Sequence, residues 1–369
     1  MSGTHGSSSS NWLVYTVKEH LRALCLYTAE CLTTAPGKVV YAIKKTGVID
    51  ALGDGPKSAD QLAKELGLHE DSLYRVLRAA VNMNVLAVEG AQPPRFRNTD
   101  VTSLLLDSHP HKIWPTVQWT VDDGYATMGE MEWVVRTGGN AFRKTHNGDS
   151  LWELLKTDPK RAEDFSRAMV GMDGMTTLEG VVLDYPWNRY GRFVEIAGMY
   201  GSFLARLLRR VKKAEGVLVD QPEVIAISRK MWSEEADKAE LNKRVSFVEG
   251  DFFKSETLPK PRANDAWVMR NILHDYNDDD AVRILAAVRT AVGTTPVTLC
   301  LCEFTFVDEF ADIRNLEKCG ADLMVLTMLG AGRERTRPEW EKLFASGGFK
   351  LNRIVETRGP LCVVEAVPV

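Results

Sequence analysis

Apolar residues recur along this chain in two rhythms, and the change between them divides it. The first rhythm is helical. Residues 11–46 place Leu13, Val14, Val17, Leu21, Leu24, Tyr27 and Leu32 at spacings that gather them on the faces of packed helices. In the stretch SADQLAKELGLHEDSLYRVLRAAVNMNVLAVEG, Ser58 is placed to cap a short helix and Gly67 to end it. Glu70 or Asp71 then begins a second helix through Ala80. VLAVEG, polar residues and RFRNT predict a small hairpin. Helix, turn, helix and hairpin make a winged-helix pattern, which raises a DNA-binding regulator as one alternative.

Residues 110–185 read mostly as helix, with a turn at RTGGNAF and a new helix near Asp158 and Pro159. Met128, Met131, Met169, Met172 and Met175 cluster in this segment. Methionines at helical spacing serve either as plain core or as the lining of a pocket for flat aromatic ligands, and both readings stay open.

From Gly191 the rhythm shortens. RFVEI, GVLVD, VSFVEG, DAWVMR and VTLCLCEF are strand candidates, separated by the helical patterns GSFLARLLRR, PEVIAISRKMW and DDAVRILAAVRTAV. That alternation predicts an α/β fold with a parallel sheet covered on both faces. The last stretch, FKLNRIVETRGPLCVVEAVPV, holds two strand-like runs around Arg358, Gly359 and Pro360, a hairpin that must be antiparallel.

Composition narrows the functions compatible with this pattern. A length of 369 residues favours two domains, and a net charge of -4 supplies no broad basic field for nucleic acid. The second helix of the winged-helix pattern offers a groove only Arg75, Arg78, Asn82 and Asn84 among many apolar residues, so burial against a partner subunit suits it better. Cys25, Cys31, Cys300, Cys302, Cys319 and Cys362 form no CxxC pair and no zinc spacing, which predicts idle thiols and no metal. No apolar run reaches the roughly 18 residues of a spanning helix. The opening MSGTHGSSSS lacks the apolar core of a secretion signal, so a disordered tail and a cytoplasmic protein are expected.

In open sheets of this kind ligands bind beyond the carboxyl ends of the strands. After the first strand stands Glu195-Ile196-Ala197-Gly198-Met199-Tyr200-Gly201, whose glycines permit close backbone approach. Asp220 ends the second strand, placed to accept hydrogen bonds from ribose hydroxyls. Gly250-Asp251-Phe252-Phe253 follows the third, with a carboxylate for an adenine amino group and an aromatic face. In order at successive strand ends, these describe a nucleoside site. His274 stands at a further strand end, and Asp278 is placed to cap the helix after it while Asp279 and Asp280 favour its positive end.

These residues resemble the class I S-adenosylmethionine-dependent small-molecule O-methyltransferases related to plant caffeate and animal acetylserotonin enzymes. The resemblance covers nearly the whole chain, through GGNAF, TDP, DQPEV, EGDFF, ILHDYND, CEF and GRERTRPEWEKLFASGGF. It implies a Rossmann-like methyltransferase sheet with a terminal antiparallel hairpin, an N-terminal winged-helix-like dimerisation domain and a homodimer. It also implies His274 as general base, flanked by Glu303 and Glu334. Glu195, Gly198, Gly201, Asp220, Gln221, Asp251, Phe252 and Arg270 fall at cofactor contacts. Phe165, Met169, Met172, Met324 and Met328 would line an apolar acceptor pocket. The divisions expected are a tail over 1–10, the dimerisation domain over 11–110, a helical linker and pocket segment over 111–185, and the catalytic domain over 186–369.

Two departures stand out against the family pattern. Relatives usually read GGGxG after the first strand; here Ala197 and Met199 occupy two of the glycine positions, with Tyr200 beside them to crowd the loop, and Asn271 stands where many relatives carry tryptophan. They support a rival within the same fold: a protein that binds S-adenosylmethionine for a pericyclic or dehydrative reaction without transferring its methyl group.

Overall fold

A computed structural model of the chain describes residues 36–90, 92–109, 113–175, 178–234, 239–307, 310 and 312–369. The expected tail, the helices read over 11–35 and Cys25 and Cys31 lie outside these residues. The chain divides into two compact units, one ending at Val121 and the other running from Asp122 to Val369. That division falls inside the segment read from sequence as a helical linker.

In the first unit, α1 (Ala59–Leu66) starts at a capping box in which Ser58 and Gln61 satisfy each other's backbone N–H groups. It stops at Gly67, whose φ of 67° is left-handed. The following α2 (Glu70–Asn82) is capped by His69, whose ring nitrogen accepts the Ser72 N–H. The strands β1 (Lys57–Ser58), β2 (Ala87–Glu89) and β3 (Arg95–Arg97) form an antiparallel sheet in the order β1-β3-β2, one strand more than the hairpin read from sequence. Ile43, Leu62, Leu77 and Phe96 close the core beneath them.

The second unit opens with helices. Among them α3 (Pro159–Met175) begins where Asp158 accepts the Arg161 N–H at 3.1 Å. The sheet then runs β4 (Arg192–Ile196), β5 (Glu215–Asp220), β6 (Val245–Glu249), β7 (Asp265–Arg270), β8 (Thr298–Phe306), β9 (Arg335–Thr336), β10 (Phe349–Glu356) and β11 (Leu361–Pro368). Its order is β10-β11-β8-β7-β4-β5-β6, with β9 attached to β8. The strands β4 to β8 are mutually parallel and β10 and β11 antiparallel, as the terminal hairpin requires.

Alternate strand residues feed two cores. On one face Phe193, Leu218, Ala266 and Val268 pack against α4 (Ser202–Arg210) and α5 (Pro222–Glu234). On the other, Val194, Trp267 and Met269 pack against α6 (Asp278–Val292) and α8 (Arg337–Ser346), while α7 (Leu316–Leu329) lies between β8 and β9 in the chain. One cap differs from expectation. Asn277, not Asp278, caps α6 by accepting the Asp280 N–H at 2.8 Å, and Asp278 is left free to pair with Arg335. Both residue types cap well, so position alone decided between them.

Phe193 sits fully buried on β4, edge-on to Trp187 at 5.9 Å. Phe193→Ala should lower the unfolding free energy by about 3–5 kcal/mol, measured by denaturant titration.

Candidate active site

The site begins with a turn. After β7 the chain leaves the sheet through Asn271 and makes a single 3-10 turn over Leu273–Asp275 that carries His274. Such a turn satisfies only part of its own backbone, through the N–H groups of Asp275 and Tyr276, and neighbouring elements add the rest of its ties. Glu303, buried on β8, accepts the N–H groups of Ile272 at 3.1 Å and Leu273 at 3.0 Å through one carboxylate oxygen. From the far side Arg335 donates to the Leu273 carbonyl at 2.8 Å and the Tyr276 carbonyl at 3.0 Å. The Arg333 N–H reaches the His274 carbonyl at 2.9 Å. Gly332 permits that approach, because a Cβ there would lie 2.2 Å from the same oxygen.

Held in this way, the His274 ring lies among carboxylates. Nδ1 is 2.7 Å from Glu334 Oε1, and Nε2 is 3.3 Å from Asp275 Oδ1. Glu334 is fixed in turn by its N–H donating to Asp322 at 2.8 Å. Burial works against the charged ring, but Glu334, Asp275 and Glu303 together outweigh it and push the His274 pKa up to about 10. Burial likewise raises Glu303 to about 7 and Asp275 to about 6, in both cases against the opposing pull of His274. Oxygen and nitrogen atoms of His274, Glu303 and Glu334 lie within 4.8 Å of one another.

The residues read from sequence as a nucleoside site lie at the carboxyl ends of β4, β5 and β6. Gly198 leaves no room for a side chain, since a Cβ would lie 2.6 Å from the buried Glu195 carboxylate and from Leu218. Glu195 itself accepts the Leu204 N–H at 3.2 Å beneath the loop. Ala197, Met199 and Gly201 have φ values of 55°, 49° and 68°, so the departures from glycine keep an alternating left-handed path. The loop is tied from α5: Ser228 donates to the Met199 carbonyl and Trp232 to the Tyr200 carbonyl, each at 2.8 Å. Asp220 accepts the N–H groups of Met199 and Gln221, both at 2.8 Å, and burial raises its pKa to about 6 despite them. Asp251 accepts the Phe253 N–H at 2.9 Å and pairs with Lys254 at 3.1 Å. Phe252 meets Tyr276 edge-on at 5.9 Å, and Arg270 lies over the Phe203 ring at 6.0 Å. Two carboxylates with spare lone pairs, a crowded glycine loop and aromatic faces fit the hydroxyls, amino group and ring of a nucleoside.

The expected acceptor-pocket residues are less uniform. Phe165 stands edge-on to Trp152 at 6.0 Å, and Met169, Met172 and Met324 are half-buried. Met328 is 2% exposed, its sulfur accepting the Thr127 hydroxyl at 3.3 Å, so it packs as core in this structure. A cavity of about 300 Å³ bordered by Thr305, Arg314, Glu356 and Cys362 includes none of the predicted residues.

Comparison with known proteins decides the family. A family model described as the O-methyltransferase domain matches residues 129–350, and one described as the O-methyltransferase dimerisation domain matches 33–108. The chain belongs to the O-methyltransferase family. It is 32% identical to the 8-amino-8-demethylriboflavin N,N-dimethyltransferase of Streptomyces davaonensis, over 85% of this chain and 86% of that one. Identity to the phenazine O-methyltransferase of Lysobacter antibioticus is 29%, over 89% and 92%. A neocarzinostatin-biosynthesis O-methyltransferase solved with S-adenosylmethionine and 2-hydroxy-5-methyl naphthoic acid superposes with a TM-score of 0.72, at 25% identity, covering 91% of this O-methyltransferase and 96% of the neighbour. Human N-acetylserotonin methyltransferase shares the fold at TM-score 0.79 and 19% identity, covering 94% and 97%.

Sequence reasoning missed Asp275, Asp322 and Arg335. Asp275 lay inside the quoted ILHDYND and Arg335 inside GRERTRPEW, but a basic residue in a charged run reads as surface, whereas the Arg335 side chain is fully buried. Left-handed backbone costs a non-glycine residue about 1–2 kcal/mol. Ala197→Gly should therefore leave the melting temperature unchanged or raise it, with the relief of strain offsetting the entropy cost of glycine in thermal unfolding.

Proposed function

We propose that this O-methyltransferase moves a methyl group from S-adenosylmethionine to a hydroxyl of a small aromatic or polyketide-like metabolite, with His274 holding the acceptor's proton during transfer. The observation that carries the reading is the His274 ring, set between Glu334 and Asp275 beyond the carboxyl end of β7, in the same run of parallel strands whose ends carry Asp220 and Asp251. A phenol has a pKa of about 10 and is a weak nucleophile until its oxygen is ionised. His274 supplies the matching basic group, Glu334 orients the ring through Nδ1, and Glu303 positions the turn. Bound S-adenosylmethionine supplies an electrophilic methyl group on a sulfonium. Asp220, Gln221, Asp251, Phe252 and Arg270 hold it, with Glu195, Gly198 and Gly201 shaping the loop. None of these roles calls for a metal.

Phe165, Met169, Met172 and Met324 supply the apolar walls of the acceptor side, with Met328 packed behind them as core. The relatives that act on a phenazine and a naphthoic acid support a flat acceptor. The segment over 11–110 dimerises, residues 111–185 contribute the pocket, and 186–369 bind the methyl donor, giving a homodimer. No helix among the described residues is long and apolar enough to cross a membrane. The non-methylating rival rested on the loop departures at Ala197, Met199 and Tyr200 and on Asn271; the tethered left-handed path of the loop favours the methyl-transfer reading over it.

The reading is tested with labelled S-adenosylmethionine and a panel of phenolic acceptors. Transfer of label supports it, and tight cofactor binding without transfer to any acceptor would sink it. His274→Ala should lower turnover of a phenol by roughly 10²–10⁴ while calorimetric affinity for S-adenosylhomocysteine stays the same. Asp220→Ala should do the reverse, weakening that affinity by about tenfold or more, roughly 1.4 kcal/mol.

A further inference from the structure

We propose that Asn271 selects the acceptor: its side-chain oxygen receives a hydrogen bond from an N–H or O–H other than the hydroxyl being methylated, so the productive acceptor is an amino- or polyhydroxy-substituted aromatic ring. This rests on the methyl-transfer reading and specifies its substrate class.

Asn271 is the residue at which the chain leaves β7, and its backbone is pinned. Its N–H donates to the Cys302 carbonyl on β8 at 3.1 Å. Its φ of 52° is left-handed, a region that asparagine enters more readily than most residues. The next two N–H groups, of Ile272 and Leu273, go to Glu303, the residue after Cys302. Asn271 and Glu303 are therefore tied at the same pair of strand ends, just ahead of His274.

The Asn271 side chain is half-buried, and its Oδ1 is buried and meets no donor among the described residues. A buried acceptor left unpaired is destabilising, and such atoms are uncommon in folded proteins. This one is not isolated. The second oxygens of Glu303 and Glu334 are likewise buried without a donor among the described residues, and both carboxylates cluster with the His274 ring. The guanidinium nearest the turn does not relieve them, because Arg335 spends its donors on the carbonyls of Leu273 and Tyr276 and on Asp278.

What this corner lacks is donors. An acceptor with a single hydroxyl brings one, and that proton goes to His274. A second hydroxyl or an amino group on the ring brings the donor that Asn271 needs, and it keeps its proton while the other oxygen is methylated. A ring without it leaves the Asn271 oxygen buried and unpaired in the complex, which is how a polar site rejects a ligand of nearly the same shape.

The test compares naphthol with its hydroxy- and amino-substituted isomers in the wild type, Asn271→Gly and Asn271→Asp. Glycine removes the amide and adopts the left-handed conformation without strain, whereas aspartate keeps an acceptor in the same place. Calorimetry with S-adenosylhomocysteine present reads acceptor binding without turnover, and kcat/KM with S-adenosylmethionine reads transfer. The wild type should favour at least one donor-bearing isomer over naphthol by about tenfold or more. That preference should vanish in Asn271→Gly and survive in Asn271→Asp, with S-adenosylhomocysteine bound equally by all three. No preference in the wild type, or one that persists in Asn271→Gly, overturns the inference. A tenfold loss of S-adenosylhomocysteine affinity in Asn271→Gly overturns it as well, by assigning the amide to the methyl donor. The expected binding preference without transfer to any isomer would instead strike the methyl-transfer reading and leave recognition by Asn271 standing.

Discussion

Two backbone N–H groups, those of Ile272 and Leu273, end on one oxygen of the buried Glu303 carboxylate, and the reactive groups take their positions from that clamp. A carboxylate in the interior is costly unless donors meet it. Its raised pKa shows that the cost is only partly offset. What the clamp supplies is rigidity in a stretch too short to be a helix and too bent to be a strand. With Arg335 taking the Leu273 and Tyr276 carbonyls on the other side, the turn is gripped from both sides, and His274 hangs from a fixed frame. Because the clamp grips main chain, side chains at 272 and 273 are free to serve packing.

The two halves of the site hold their geometry by different means. Around His274, charge is concentrated: three carboxylates and one ring, with opposing cations directed to carbonyls. Around Asp220, order comes from backbone amides and from a loop kept in left-handed conformations at Ala197 and Met199. The first arrangement suits a step in which charge changes hands. The second suits recognition, where the same contacts must be offered unchanged in each cycle.

Much of this was legible in the sequence because the sheet is covered on both faces. RFVEI and DAWVMR coincide with β4 and β7, since strands buried on both sides read as continuous apolar runs bounded by abrupt polarity. His274, Glu303 and Glu334 were legible as a set only through resemblance, and the structure brings them together. Arg335 was not legible at all. Whether an arginine in a charged run faces water or a turn's carbonyls depends on a two-residue pairing with β8 that no local pattern records. Met328 was misleading for a different reason: from Leu323 onward α7 is apolar on nearly every side, so spacing does not say which methionine faces a pocket and which faces Thr127.

The ties from Ser228 and Trp232 to the carbonyls of Met199 and Tyr200 place the shape of the cofactor loop under the control of a helix that begins after the next strand. The loop has exchanged the freedom of glycine for support from outside itself. Substitutions on the inner face of α5 would therefore be felt at the loop over Ala197–Gly201, so that a change made for packing on that helix is read out as a change of shape at the carboxyl end of β4.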